Sequence, residues 1–298
     1  MEILKNINIP QDLKHLDLNE LIGLSQELKD FVMEKTSVKK GHIESSLTVT
    51  ELTVALHYLL DTPRDALFWD VGHQAYGHKI LTGRRSVFHT NRKYKGISGF
   101  PKIKESEYDN FGVGHSSTSI SAALGMAVAS RTKGELDRQH VAVIGDGAIS
   151  AGMAYEAMNN AGATDSKQIV ILNDNDMSIA PPVGAMSHML AKMVSSGGYQ
   201  KLRGAGKAIV KDAPRPIKST ARKAEEYTRG MFMGGTWFEE LGFYYVGPVD
   251  GHDLDTLIPV LENVKKMKNL LFTVLFVWTL GTQAQNNKKP NGSRLSNL

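Results

Sequence analysis

The sequence predicts a three-layer α/β protein, a doubly wound and mostly parallel sheet covered by helices on both faces. Three observations predict it. Helix-period and strand-like segments alternate along the chain, the sequence form of repeated βαβ units. The strand candidates at 66–69, 141–144 and 169–172 are short, continuous apolar runs, as expected for parallel strands buried on both sides. Each run is followed by polar residues or glycine, at Asp70, at Gly145 and Asp146, and from Asn173 to Asp176. In open α/β sheets ligands lie beyond the carboxyl ends of the strands, so these residues are placed for site work.

Taken in order, Leu21, Leu24, Leu28, Phe31 and Val32 recur at three- and four-residue spacing and predict an early helix. Thr48 and Glu51 have capping-box spacing ahead of Leu52, Ala55, Leu56 and Leu59, which predicts a second. After the three strand runs, the pattern predicts a short helix at 236–241, a strand at 243–246 and a helix at 253–266. The apolar run 270–280 has about half of the roughly 20 residues that a bilayer crossing needs, so it is expected to be a buried strand. From 282 to 298 the residues are almost all polar or glycine, which predicts a disordered tail. The expected organisation is one domain over 1–280, with a mobile basic insertion at about 184–230, followed by a disordered 281–298.

Composition narrows the function. A chain of 298 residues with 41% hydrophobic content can bury a sizeable core. The absence of cysteine excludes disulfides, Cys-ligated zinc and a thiol nucleophile. Residues 1–14 carry no apolar run of the signal-peptide kind, so the expected location is the cytoplasm, with no membrane partner. The net charge of +4 is concentrated in one stretch that includes Lys192, Lys201, Arg203, Lys207, Arg215 and Arg222. That stretch has neither interleaved aromatics nor a nucleic-acid module, so it reads as a solvated insertion rather than a nucleic-acid surface.

The chemistry is carried by a pair of strand ends. Gly145-Asp146-Gly147 closes one strand and opens a helix rich in small residues, which ends near Asn159, Asn160 and Gly162. Glycines allow close approach of backbone to ligand, a helix start favours phosphate, and Asp146 is a hard oxygen ligand suited to Mg²⁺. Asn173-Asp174-Asn175-Asp176 at the next strand end supplies further oxygens facing the first turn. A lone Gly-Asp-Gly is an ordinary strand-to-helix turn; its pairing with the Asn/Asp cluster is what makes the signal specific. Neither a P-loop nor a dinucleotide fingerprint is present.

This pair resembles the thiamine diphosphate signature, and the chain around it, over roughly 10–268, resembles the 1-deoxy-D-xylulose-5-phosphate synthase family of the transketolase-like superfamily. The resemblance rests on the motifs at 41–47 (Gly-His-Ile-Glu-Ser-Ser-Leu), 69–85 (beginning Trp-Asp-Val-Gly-His), 96–101, 112–121 (Gly-Val-Gly-His-Ser-Ser-Thr-Ser-Ile-Ser) and 247–252 (Gly-Pro-Val-Asp-Gly-His). It departs from the family at Glu44, where many members carry a small residue, and at Gly77, where many carry proline.

The resemblance implies a thiamine-dependent transferase that condenses pyruvate with glyceraldehyde 3-phosphate, with loss of CO₂, toward isoprenoid, thiamine and pyridoxal precursors. It implies that Asp146 and Asn175 ligate Mg²⁺ with the Met177 carbonyl, and that Gly147 and Ala148 meet the diphosphate. His73, Gly114, His115, Ser116 and Asn175 would line the cofactor, and His42 would lie near the reacting carbons as a proton carrier. His15, His57, His140 and His188 receive no role. The family is homodimeric and has two further domains, which bring a cofactor-activating glutamate and substrate-phosphate ligands. Because the resemblance stops after Lys268, the chain alone is expected to be a truncated and inactive portion. It would either be completed by a separate chain or remain a non-catalytic cofactor-binding fragment. The surface that meets the second domain in the family is expected to make an isolated chain self-associate.

Overall fold

The computed structural model describes residues 1–36, 43–174, 236–267 and 272–279. Its strands are β1 (Ala66–Trp69), β2 (His140–Gly145), β3 (Gln168–Asp174), β4 (Tyr244–Asp250) and β5 (Phe272–Trp278). They form one sheet in the order β1-β2-β3-β5-β4, every neighbouring pair parallel. The register aligns the carboxyl ends: Trp69 pairs with Val143, Gly145 with Asn173, and Asp174 with Trp278. The expected parallel α/β sheet is therefore present. The run expected near 270–280 becomes an inner strand, between β3 and β4.

The helices named here are α1 (Leu18–Thr36), α2 (Ile43–Thr48), α3 (Thr50–Leu59), α4 (Tyr76–Lys79), α5 (Ser119–Thr132), α6 (Asp146–Ile149), α7 (Gly152–Gly162), α8 (Thr236–Glu240) and α9 (Leu254–Lys266). Successive strand residues point to opposite faces, so a wholly apolar strand fills two layers at once. Leu67, Trp69, Val141, Val143, Ile169, Ile171, Leu275 and Val277 share one core with α1, α3 and α9. Phe68, Ala142, Ile144, Val170, Leu172 and Val274 share the other with α5, α7 and Phe238 of α8. Burying each large side chain is worth about 1.5–3 kcal/mol, so the sheet is fixed by both layers together.

In α1, Leu21, Leu24, Leu28 and Val32 are all buried, as their spacing predicts, while Ile22 is half exposed. The C-terminus of α3 is closed by two lysines: Lys14 Nζ donates to the Tyr58 and Leu60 carbonyls, and Lys265 Nζ to that of Leu59. These cations meet the carbonyls that a helix end leaves without partners.

Two local expectations are corrected. Thr48 and Glu51 form no capping box. Thr48 ends α2 and donates to the Ser45 carbonyl at 3.1 Å, while Val49 is the N-cap of α3 without a side-chain cap. Glu51 instead pairs with Lys29 of α1 and, at 3.1 Å, with His252 Nδ1; an ammonium and an imidazole at a mostly buried carboxylate outcompete one backbone amide. The helix after β2 is also not continuous. It is the short α6, then an extended Ala151 (φ −80°, ψ 150°), then α7. The basic insertion, the polar tail, Asn175, Met177 and His42 lie outside the described residues.

Candidate cofactor site

The site is assembled from loops leaving adjacent parallel strands. β1 leads into Asp70, which is 1% exposed and donates its backbone N–H to the Val143 carbonyl at 2.8 Å. Its carboxylate does not face solvent as a ligand would. Oδ1 accepts the Ser117 amide at 2.7 Å and Oδ2 the Ser119 amide, at the start of α5, at 3.0 Å. After Asp70 the chain turns sharply through Val71 (φ 60°) and Gly72 (φ 93°), with the Gly72 amide and the Gln74 side chain both donating to the Asp70 carbonyl. Glycine is required at 72, because a Cβ there would stand 2.6 Å from Pro101 Cδ and Val113 Cγ2. This turn presents His73, whose carbonyl accepts the Ser46 hydroxyl of α2 at 2.9 Å.

The second loop carries Gly114, His115 and Ser116, all exposed, and then the buried Ser117. Ser117 has φ 72°, a left-handed conformation unusual for serine, and its hydroxyl donates to the Ala148 carbonyl at 2.8 Å. The third segment is the turn after β2. Gly145 is the N-cap of α6, Asp146 its first residue, and Gly147 is exposed. A Cβ built on Gly114 or Gly147 would meet nothing within 4 Å, so both face open space. At the end of β3, Asn173 Oδ1 accepts the Thr279 hydroxyl at 3.1 Å, and the Asp174 carbonyl accepts the Thr279 amide at 2.9 Å.

Of the residues expected in the site, Gly114, His115 and Ser116 thus lead into Ser117, which is bonded to Ala148 in the turn of Asp146 and Gly147, while His73 leaves the same Asp70 anchor on the other side. His42, Asn175 and Met177 are outside the described residues. Among the described residues, no group of three or more His, Asp or Glu side chains is gathered as a metal cage.

Behind these loops lies a buried polar network that the sequence did not reveal. The Asp109 carboxylate accepts His78 Nε2 at 2.9 Å, the Arg84 guanidinium at 2.7 and 2.9 Å, and the Lys102 amide at 2.7 Å. Burial alone would push this carboxyl up; the hydrogen bonds from His78 and Arg84 hold it well below the usual range. His78 therefore donates from Nε2, leaving Nδ1 to accept from His57 Nε2 at 2.9 Å. Burial pushes both imidazoles down, so both are neutral near pH 7. Nearby, Lys79 pairs with Glu105 at 2.6 Å, and Glu105 takes the Ser98 amide. Together these contacts fasten residues 98–109, in which Pro101, with Val113 just beyond, closes over Gly72. His78, Lys79 and Arg84 lie inside the motif 69–85 and Ser117 inside 112–121, whereas Asp109 lies in none and has no local mark of its role.

With the geometry in hand, comparison with known proteins gives a consistent result. A family model described as 1-deoxy-D-xylulose-5-phosphate synthase matches residues 4–279. Proteins named 1-deoxy-D-xylulose-5-phosphate synthase are similar to this chain: one from Dechloromonas aromatica is 57% identical over 270 residues, and one from Bordetella avium is 58% identical over 272. Each match covers 91% of this chain but 43% and 44% of the relative, so the chain spans less than half their length. Among solved structures, transketolase from Campylobacter jejuni superposes with a TM-score of 0.61 at 19% identity, covering 89% of this chain and 38% of that one. Transketolase from Leishmania mexicana gives 0.62 at 15% identity, covering 89% and 37%. At such identities the structural likeness speaks for the fold alone.

Proposed function

The chain belongs to the 1-deoxy-D-xylulose-5-phosphate synthase family, and from that membership we propose that it holds thiamine diphosphate through Mg²⁺ at the carboxyl edge of its sheet. We infer further that it serves the transfer that joins pyruvate to glyceraldehyde 3-phosphate with loss of CO₂, toward isoprenoid, thiamine and pyridoxal precursors, in the cytoplasm and as a homodimer.

The observation that carries this reading is the hydrogen-bonded path from Asp70 through Ser117 to Ala148, which brings the Gly114–Ser116 loop and the Asp146 turn to one place. The residues present fit the group. Gly114 and Gly147 leave open space where any side chain would intrude, and Asp146 opens α6 at the strand end. In this reading Asp146 and Asn175 hold Mg²⁺ with the Met177 carbonyl, a hard-oxygen set suited to that ion. The amides of Gly147 and Ala148 take diphosphate oxygens, and His73, Gly114, His115, Ser116 and Asn175 line the remainder of the cofactor. His42 moves protons near the reacting carbons, a task for which imidazole titrates in the right range. Bound thiamine diphosphate would supply the electron sink that lets a 2-oxo acid lose CO₂.

The test is a calorimetric titration of thiamine diphosphate into the purified chain with and without Mg²⁺, beside Asp146→Ala. Expected is binding that requires Mg²⁺ and disappears in the variant. Binding that ignores Mg²⁺, or that survives in Asp146→Ala, would overturn the assignment, as would no binding by the folded parent.

A further inference from the structure

We propose that Asp70 is the positioning residue of this site: its carboxylate and the Ser117 hydroxyl form one mechanical link that holds the Gly114–Ser116 loop in register with the Asp146–Ala148 turn. The inference deepens the cofactor reading and rests on it for its ligand.

Asp70 is almost wholly buried, and a carboxylate in such a place requires donors for its oxygens. The donors it has are the amides of Ser117 and Ser119, which flank the start of α5. The residues on either side of this contact are strained. Ser117 has φ 72° and the β-branched Val71 has φ 60°, conformations that persist only where the surroundings hold them. One strained residue precedes His73 and the other follows Ser116: the Asp70 carboxylate holds the second through the Ser117 amide, while the Asp70 carbonyl, accepting the Gly72 amide and the Gln74 side chain, closes the turn that contains the first. The link then continues, because the Ser117 hydroxyl donates to the Ala148 carbonyl at 2.8 Å. Neither Asp70 nor Ser117 is exposed at the open space over Gly114 and Gly147. They act through the residues beside them. A role confined to starting α5 would involve the Ser119 amide only and would have no use for the bond to Ala148.

Ser117→Ala separates these roles, since it keeps both amide contacts to Asp70 and removes only the bond to Ala148. Partners that orient ligating residues typically matter by about 10- to 100-fold. The expected result is Mg²⁺-dependent thiamine diphosphate affinity reduced by about that factor in Ser117→Ala, with little change in the urea midpoint. Hydrogen exchange of the amides at 146–148 should rise in the ligand-free variant. Asp70→Asn should raise exchange at 114–119 and at 146–148 together, and the double variant should lose no more affinity than the worse single one. Parent-like affinity and unchanged exchange at 146–148 in folded Ser117→Ala would overturn the proposal. Should Asp70→Asn fail to fold, Ser117→Ala alone decides. Should the parent show no Mg²⁺-dependent binding, the cofactor reading fails, and exchange at 146–148 alone decides the link: raised supports it, unchanged sinks it.

Discussion

Asp109→Asn should cost more stability than any exposed ion pair of this protein, although it changes one atom. The Asp109 side chain is 0% exposed and that of Arg84 7%, so neither charge has water to fall back on. Four donors converge on the carboxylate: His78 Nε2, two nitrogens of Arg84 and the Lys102 amide. Asparagine offers one oxygen and an NH₂ group, which sets donor against donor on one side and leaves the guanidinium with Glu105 at 3.6 Å as its remaining carboxylate. Removing one partner of a buried pair in this way costs about 3–5 kcal/mol. Whole-protein stabilities are typically about 5–15 kcal/mol, so the urea midpoint should fall by roughly a fifth or more at an unchanged slope. Arg64→Ala is the control. Its bond to Asp137 is as short, 2.7 Å, but the side chains are 52% and 76% exposed, and the midpoint should stay in place. A loss below about 1 kcal/mol for Asp109→Asn, or an equal loss for Arg64→Ala, would refute the reasoning.

Two further outcomes follow from the same structure. Burial pushes His140 down to about 4, and lowers His57 and His78 as well. The unfolded chain then takes up protons first on acidification, so the stability these groups give is complete above about pH 6.5 and is lost as pH falls toward 4. The urea midpoint should therefore drop between pH 7 and 5, and less steeply in His140→Gln; a midpoint that is flat or rises on acidification contradicts this. Two glycines should respond oppositely to alanine in thermal melts. A Cβ at Gly125, inside α5, meets nothing within 4 Å, whereas at Gly162 it would stand 1.7 Å from the Leu241 carbonyl oxygen. Gly125→Ala should stabilise by about 0.5–1 kcal/mol, and Gly162→Ala should destabilise by about 3 kcal/mol or more. Equal effects at the two positions would count against this packing.

Local pattern was enough for the layers because each strand buries two faces within one short run. The run 66–69 needs no partner to be read as buried, and the structure gives the same bounds for β1. Order within the sheet was not legible. Nothing in 270–280 says that β5 lies between β3 and β4, since that follows from how the connections cross the sheet. The Thr48–Glu51 spacing misled for a related reason: Glu51 is claimed by Lys29 and His252, the latter 201 positions away, and a four-residue window contains neither.

The candidate site divides along the same line. His73, Gly114 to Ser116 and Asp146 to Ala148 are readable because each group is contiguous, and a turn that meets a ligand needs its glycines and polar residues side by side. What brings the groups together is not contiguous. Asp70 reaches Ser117 across 47 positions and Asp109 reaches His78 across 31. Ser117 looks like any of its neighbouring serines until its φ of 72° is seen. Asp109 stands in an acidic stretch, Glu105-Ser106-Glu107-Tyr108-Asp109, where a solvated face is the ordinary reading, yet it is the most heavily hydrogen-bonded carboxylate behind the site. A motif shows which residues a ligand would touch, whereas burial and long-range bonds decide whether those residues stand in the right place. Substitutions at Asp70, Ser117 and Asp109, whose side chains are buried and act through their neighbours, should therefore weaken ligand binding as well, though less than the complete loss expected of Asp146→Ala; titration of Mg²⁺ and thiamine diphosphate into the folded variants checks this, and parent-like affinity in all three would contradict it.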